Sequence, residues 1–429
     1  MKHTWILAGL LTGGFLFPTA TWAQDDELLQ RISALELKVA DMAKQDDGSL
    51  RAYWKNGFIL EQPDKSFKLQ LGGRAQFDTA FFDTEEALEA EAGPFDDGAR
   101  VRRARLNMRG TMYDSIDFMI EYDFASGGSF QSAYVGTRNV PVLGTVQVGH
   151  LLEPIGLEEI ASNNHITFME RGSATYFNPI YNIGLMAFDD VADQRMTWAA
   201  GVFKDTDNDA ISISNETWAV SARLTGLPYA TEDGRSYLHL GSSVSQRHLD
   251  DNNFYRIRAR PGSAIAPYVV NTGNIDADQA LLTGLESILT LGSFSLQSEY
   301  MRSEVDRLPG EETPDPSDVA FDTYYVMASY FLTGEHRPYN RKGAIPGRIT
   351  PKQNASGKAW GAGAWELAVR FDRIDLTDDD VTGGEMESWT GGVNWYLNPH
   401  TRVMLDYTQA DVEDTGTVDT LAMRFQVDF

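Results

Sequence analysis

Cysteine is absent from all 429 residues, so neither disulfides nor thiolate metal ligands hold this chain together. Long apolar runs are scarce as well. Apart from Trp5 to Phe17, no segment approaches the roughly 18 consecutive apolar residues of a membrane-spanning helix, which excludes a helical membrane protein. The chain lacks HExxH, GxSxG and the phosphate-cradling GxxxxGK[ST]. Its histidines, His150, His165, His239, His248, His336 and His400 beyond His3, are scattered without metal-ligand spacing, so neither a cofactor nor an enzyme is expected. Positive charge is in deficit, with 36 Lys and Arg against 62 Asp and Glu. A net charge of −26 argues against a nucleic-acid partner. The acidic runs, such as Asp83 to Glu91 and Asp205 to Asp209, fall between strand candidates and read as solvated loops.

What is present begins with an export signal. Lys2, the short apolar run and Thr21-Trp22-Ala23 before Gln24 predict a secretory signal peptide over residues 1–23. In residues 24–47, Leu28, Ile32, Leu35, Val39 and Met42 follow a heptad spacing. A lone helix this short is marginal in water, so the seam predicts a small periplasmic coiled coil between subunits. A helix docked on its own chain and a disordered tail are the alternatives.

Residues 48–429 read as strands. Along Lys68 to Phe82, Leu69, Leu71, Ala75, Phe77, Thr79 and Phe81 share one face, while Lys68, Gln70, Arg74, Gln76 and Asp78 share the other. Leu421, Met423, Phe425, Val427 and Phe429 alternate in the same way with Ala422, Arg424, Gln426 and Asp428. Period alone does not separate a soluble sandwich from a membrane barrel. The strand length, the terminal aromatic, and the clustering of Trp360, Tyr324, Tyr325, Trp389, Trp395 and Tyr396 near strand ends favour the barrel. At roughly 24 residues per strand and connection, the fold class is an all-β, antiparallel transmembrane barrel of about 16 strands. An even count puts both barrel ends on the periplasmic side.

One stretch breaks the pattern. Gly149 to Gly172 has no period-2 alternation and reads as a long, partly helical connection. We expect it to fold into the bore. Along Arg100 to Tyr113, Arg103, Arg105, Asn107 and Arg109 share one parity and face the lumen, because a lipid-facing arginine at mid-depth costs about 2–4 kcal/mol. Arg102 has the outward parity, at the strand's start, and Arg74 joins the inward set. Arg256, Arg258 and Arg260 align a second row of guanidiniums. Two such rows make an anion path; alternatively, they pair with Asp78, Asp117 or Glu121 and only brace the wall.

The motifs LGGRAQFD (71–78), RVRRARLNMRG (100–110), VQVGHLLEPIGLEEIASNNHITFMERG (146–172), FLTGEHRPYNRKGAI (331–345), GAWELAVRFDRIDL (363–376), GVNWYLNP (392–399) and the terminal MRFQVDF occur in an order that resembles the phosphate-selective porin O and P family. The resemblance implies a homotrimeric outer-membrane barrel of a Gram-negative bacterium, whose third loop forms the constriction and whose arginines lead anions to it. It implies pore roles for Arg74, Arg102, Arg103, Arg256, Arg258 and Arg260, and anion contact at Ser162 and Asn163. Phe429 resembles the mark read by the outer-membrane assembly machinery. Two positions depart from the family: Glu159, after Glu158, stands where phosphate-selective members carry a lysine, and Gln131 where they carry a lumen aspartate.

The leading expectation is a passive porin in the lipid bilayer and lipopolysaccharide, favouring small anions such as phosphate or polyphosphate. The alternatives are a general-diffusion porin, with Glu158 and Glu159 facing the arginines across the bore, and a structural or adhesive barrel anchored through residues 24–47.

Overall fold

The computed structural model describes residues 30–31, 33–34, 36–37, 50–212, 217–249, 254–309, 316–356 and 361–429. Among these, sixteen antiparallel strands close into a barrel, as expected. They are β1 (Phe67–Thr84), β2 (Gly98–Met112), β3 (Ile116–Asp123), β4 (Ser129–Val140), β5 (Gly144–Leu152), β6 (Tyr181–Val191), β7 (Met196–Lys204), β8 (Trp218–Ala230), β9 (Ser236–His248), β10 (Ile275–Leu291), β11 (Phe294–Arg307), β12 (Val319–Phe331), β13 (Ala364–Asp378), β14 (Val381–Asn398), β15 (Thr401–Val412) and β16 (Gly416–Asp428). The signal segment and the five heptad positions lie outside the described residues. The described residues between 30 and 37 are helical and exposed.

The alternation sorts the side chains as read. Phe77 and Phe425 are each 52% exposed on the outside, while Gln76 and Arg424 are fully buried within. Tyr325 and Tyr396 differ from the expected girdle. Both have inward parity, the Tyr325 hydroxyl donating to Glu299 and that of Tyr396 to Glu366. Trp389 stays outside, Trp365 and Trp395 stack with centroids 5.2 Å apart, and Trp360 lies outside the described residues.

β16 returns to β1 in register from Val418 opposite Thr84 to Asp428 opposite Arg74. The glycines of LGGR permit this closure. Phe429 and Gly73 exchange two backbone hydrogen bonds of 2.9 Å, and a Cβ on Gly73 would meet the Phe429 ring at 2.7 Å. A β-strand hairpin, Arg51–Trp54 and Phe58–Glu61, extends the wall beside the start of β1.

Connections after odd strands form one rim, the loop rim, and those after even strands the other. Most of the latter are short, such as 113–115 and 292–293, but the one after β12 is long, and its residues 337–344 fold under the bore. Its Tyr339 hydroxyl bonds His239 at 2.7 Å, and Ala344 O accepts from Arg223 at 3.0 Å. On the loop rim, residues 254–274 reach over the bore, where a Cβ on Gly262 would lie 2.7 Å from Thr408 of β15.

The break in alternation is shorter at its start than expected, since β5 continues through Gly149 to Leu152. The inward loop is therefore 153–180, with a helix at Leu157–Ile160 and a 3-10 turn at Ser173–Phe177.

Candidate functional site

Loop 153–180 crosses the bore because inward side chains satisfy its backbone almost residue by residue. Asn163 O accepts from Gln76 at 3.4 Å, Asn164 O from Gln426 at 3.3 Å, His165 O from Arg337 at 3.0 Å, and Ile166 O from Arg402 at 2.7 Å. Thr167 O accepts from Asn394 at 2.8 Å, Met169 O from Arg424, and Glu170 O from Arg370 at 2.9 Å. Buried carboxylates accept from its amides: Glu299 from Leu157 and Glu158 at 2.5 and 3.0 Å, Asp406 from Met169 at 2.7 Å, and Asp372 from Ser173 at 2.8 Å. A loop with so few repeating hydrogen bonds needs these partners to lie inside at all. The arginines of β13, β15 and β16 are thus anchors that hold the loop against their side of the wall.

Opposite, a cavity of about 1060 Å³ reaches from residues 125–128, 205–208 and 254–268 down to Arg103, Arg105, Glu159, Asn163 and Arg171. Its wall includes Arg100, Arg102, Arg103 and Arg105. Strict alternation would turn Arg102 outward. Instead the register slips there, Gln76 pairing with Arg103 and Phe77 with Val101, and this bulge brings Arg102 inside, correcting the outward parity expected of it. Its guanidinium grips Glu170 at 2.8 and 2.9 Å.

The arginines divide by partner. Arg105 bonds Asp123 at 2.7 Å and Glu121 at 3.3 Å, Arg74 bonds Glu121 at 3.0 Å, and Arg247 bonds Glu153 at 3.1 Å. Arg103 is 4% exposed and donates to Gln76 at 2.9 Å, with no carboxylate ion pair among the described residues and its Nε–H unpaired. Arg100 and Arg260 donate to one carbonyl, Ala264 O, at 2.8 and 2.9 Å. Arg258 and Arg260 lie over the Tyr268 ring, 4.0 and 4.1 Å from its centroid, and Arg256 bonds Asn271 at 2.9 Å. Burial opposes ionisation of Glu170, but the charge and hydrogen bonds of Arg102, followed by Arg424 and Arg103, hold its carboxyl well below the usual range.

A model of the family described as phosphate-selective porin O and P matches residues 69–429. The chain belongs to that family. It is an outer-membrane porin. The porin is 27% identical over 423 residues to Porin O of Pseudomonas aeruginosa, covering 89% of this chain and 92% of that protein. It is also 27% identical over 395 residues to an uncharacterized protein of Caulobacter vibrioides, covering 86% of this chain and 74% of that one. Among solved folds, it resembles an anion-selective porin from Comamonas acidovorans at 12% identity and a TM-score of 0.53, covering 85% of this chain and 100% of that one. It resembles OmpF of Salmonella typhi at 13% identity and the same score, covering 88% and 100%.

Several sequence-predicted positions meet in the porin's cavity: Arg102, Arg103, Arg105, Arg256, Arg260, Glu159 and Asn163. Arg74 lies beside them through Glu121. Arg109 is bound to Gln70 at 3.2 Å, nearer the other rim, and Arg258 is exposed beside Tyr268 without lining the cavity. Ser162 does not line it either; its carbonyl accepts from His165 N at 2.8 Å. Glu159 and Glu170 share the cavity with these arginines, Glu170 paired to Arg102, whereas Glu158 does not line it. Glu158 turns to the β11 and β12 wall and accepts from Gly172 N at 2.7 Å, its carboxyl raised first by burial. Glu159 is locked to Arg171 at 3.0 Å.

Arg171, Glu170, Arg247 and Arg100 escaped the sequence reading as site residues. Arg171 and Glu170 stand in ERG at the end of the break, with no period to orient them. Arg100 shares the inward side only because of the bulge.

Proposed function

We propose that this porin passes small hydrophilic solutes passively and favours anions, phosphate among them. The observation that carries the reading is Arg103, a buried guanidinium at the cavity floor with an unpaired Nε–H and no carboxylate partner among the described residues. Among the described residues, Arg256, Arg260 and Arg100 above it bond neutral groups, which leaves their charge to act on an entering anion. Successive weak guanidinium sites replace part of the hydration shell and still let the ion leave. Glu159, paired with Arg171, removes less anion attraction than a free carboxylate would, and Glu158, turned to Gly172, adds little to the transverse field of the general-diffusion alternative.

In the same reading Arg74, Arg102, Arg105 and Asn163 border the path, residues 1–23 direct export, and residues 24–47 join three subunits as a coiled coil over the 48–429 barrels. Phe429 serves the assembly machinery, and the outer face meets lipid and lipopolysaccharide. Reversal potential in a salt gradient across a planar bilayer tests the proposal, together with block of chloride current by phosphate. A cation-selective reversal potential sinks the anion reading, and an absence of block at millimolar phosphate sinks the phosphate part.

A further inference from the structure

We infer that Glu121 is a specificity-determining residue of the constriction: by sharing one carboxylate between Arg74 and Arg105, it sets how tightly the pore grips a passing anion. The inference rests on the anion reading above.

Arg74 and Arg105 stand directly opposite one another on β1 and β2, where two like charges repel. Glu121 of β3 lies opposite Asn107, one inward position beyond the Arg105 and Asp123 pair. Its Oε2 is 3.0 Å from Arg74 Nη2, and its Oε1 is 3.3 Å from Arg105 Nη1. Asn107 Nδ2 donates to the same carboxylate at 3.3 Å, and Arg105 Nε bonds Asp123 at 2.7 Å. Asp123, Arg105, Glu121 and Arg74 thus form a chain of alternating sign whose charges cancel.

Glu121 is 2% exposed, so water screens it little, and its charge reaches the neighbouring floor of the cavity. An anion leaving Arg103 meets two guanidiniums that are already offset. It is attracted enough to advance and not enough to stay, which is what fast passage through several sites requires. Arg74 Nη2 and Arg105 Nη1 both turn to this one carboxylate, so the relay keeps its donors while its net charge is held down. Without the carboxylate, the same donors would form a trap.

The experiment compares the full-length porin with Glu121→Gln and Glu121→Asp in planar bilayers. Glu121→Gln is expected to lower the phosphate concentration that half-blocks chloride current by about tenfold, to move the reversal potential further toward anions, and to reduce saturating current. Glu121→Asp is too short to reach both guanidiniums. It is expected to fall between the two, and it carries the test alone if the Gln variant forms no channels. Conducting channels of either variant with unchanged or weaker block overturn the inference. An unaltered channel without anion preference sinks the reading above instead, because the difference between variant and parent still reports the charge of Glu121.

Discussion

Arg424 on the last strand and Asp78 on the first are joined by two charge-assisted hydrogen bonds of 2.7 and 2.6 Å, the guanidinium being wholly buried. The same guanidinium lies 2.9 Å from Glu170 and donates to Met169 O, so one side chain ties the barrel seam to the loop that narrows the bore. Arg424→Met leaves Asp78 buried without its counter-charge. The expected cost is about 3–5 kcal/mol, the range for breaking a buried pair from one side. The temperature at which the assembled barrel unfolds on gels should fall, and an unchanged temperature would mean that water reaches Asp78.

Arg103→Gln removes a buried cavity guanidinium that has no carboxylate ion pair among the described residues. Half-block of chloride current should then need about tenfold more phosphate, the effect of losing one charge-assisted contact of about 1.4 kcal/mol. The same change at Arg258, which is exposed outside the cavity, should shift block much less.

Glu159→Gln frees Arg171 from its 3.0 Å partner. Reversal potentials should move toward anions, and Glu159→Lys should move them further. Potentials unchanged in both variants would show that this carboxylate does not act on the path. Glu158→Gln is expected to leave selectivity nearly as it is, because Glu158 faces Gly172 and the β11 wall.

Acid should loosen the loop at His165. Burial first, then Arg348, Arg402, Arg74 and Arg337, push this imidazole from 6.5 down to about 3. Below about pH 6.5 the unfolded chain binds a proton that the folded chain refuses, so stability rises with pH between about 3 and 6.5 and is flat above. Melting temperature against pH should be less steep in His165→Gln across that window. Parallel curves would show that the imidazole does not titrate as its surroundings require.

The alternation in LGGRAQFD and MRFQVDF was enough to sort lipid from lumen, since a pleated strand has only two faces and only one tolerates Arg424 or Asp78. Strand number and the inward connection were also legible, from repeat length and from the lost period at Ser162 to His165. Less legible was anything that depends on a slip of register. Arg102 reads outward by parity and is inward by a bulge, and no property of RVRRAR alone fixes where an extra residue enters the ladder.

The sequence by itself determined the barrel, its two faces and the presence of arginines in its bore, because these follow from a period of two, strands long enough to cross a bilayer with aromatics at their ends, and the cost of charge in lipid. Only the tertiary structure decided which guanidiniums have partners. Glu170 reaches Arg102 from 68 positions away, Asn394 finds Thr167 across 227, and Arg424 meets Asp78 across 346. Pairings over such spans are set by how the barrel closes and how the loop lies against the wall. They separate Arg103, with no carboxylate partner among the described residues, from Arg105 and Arg74, whose charge Glu121 shares.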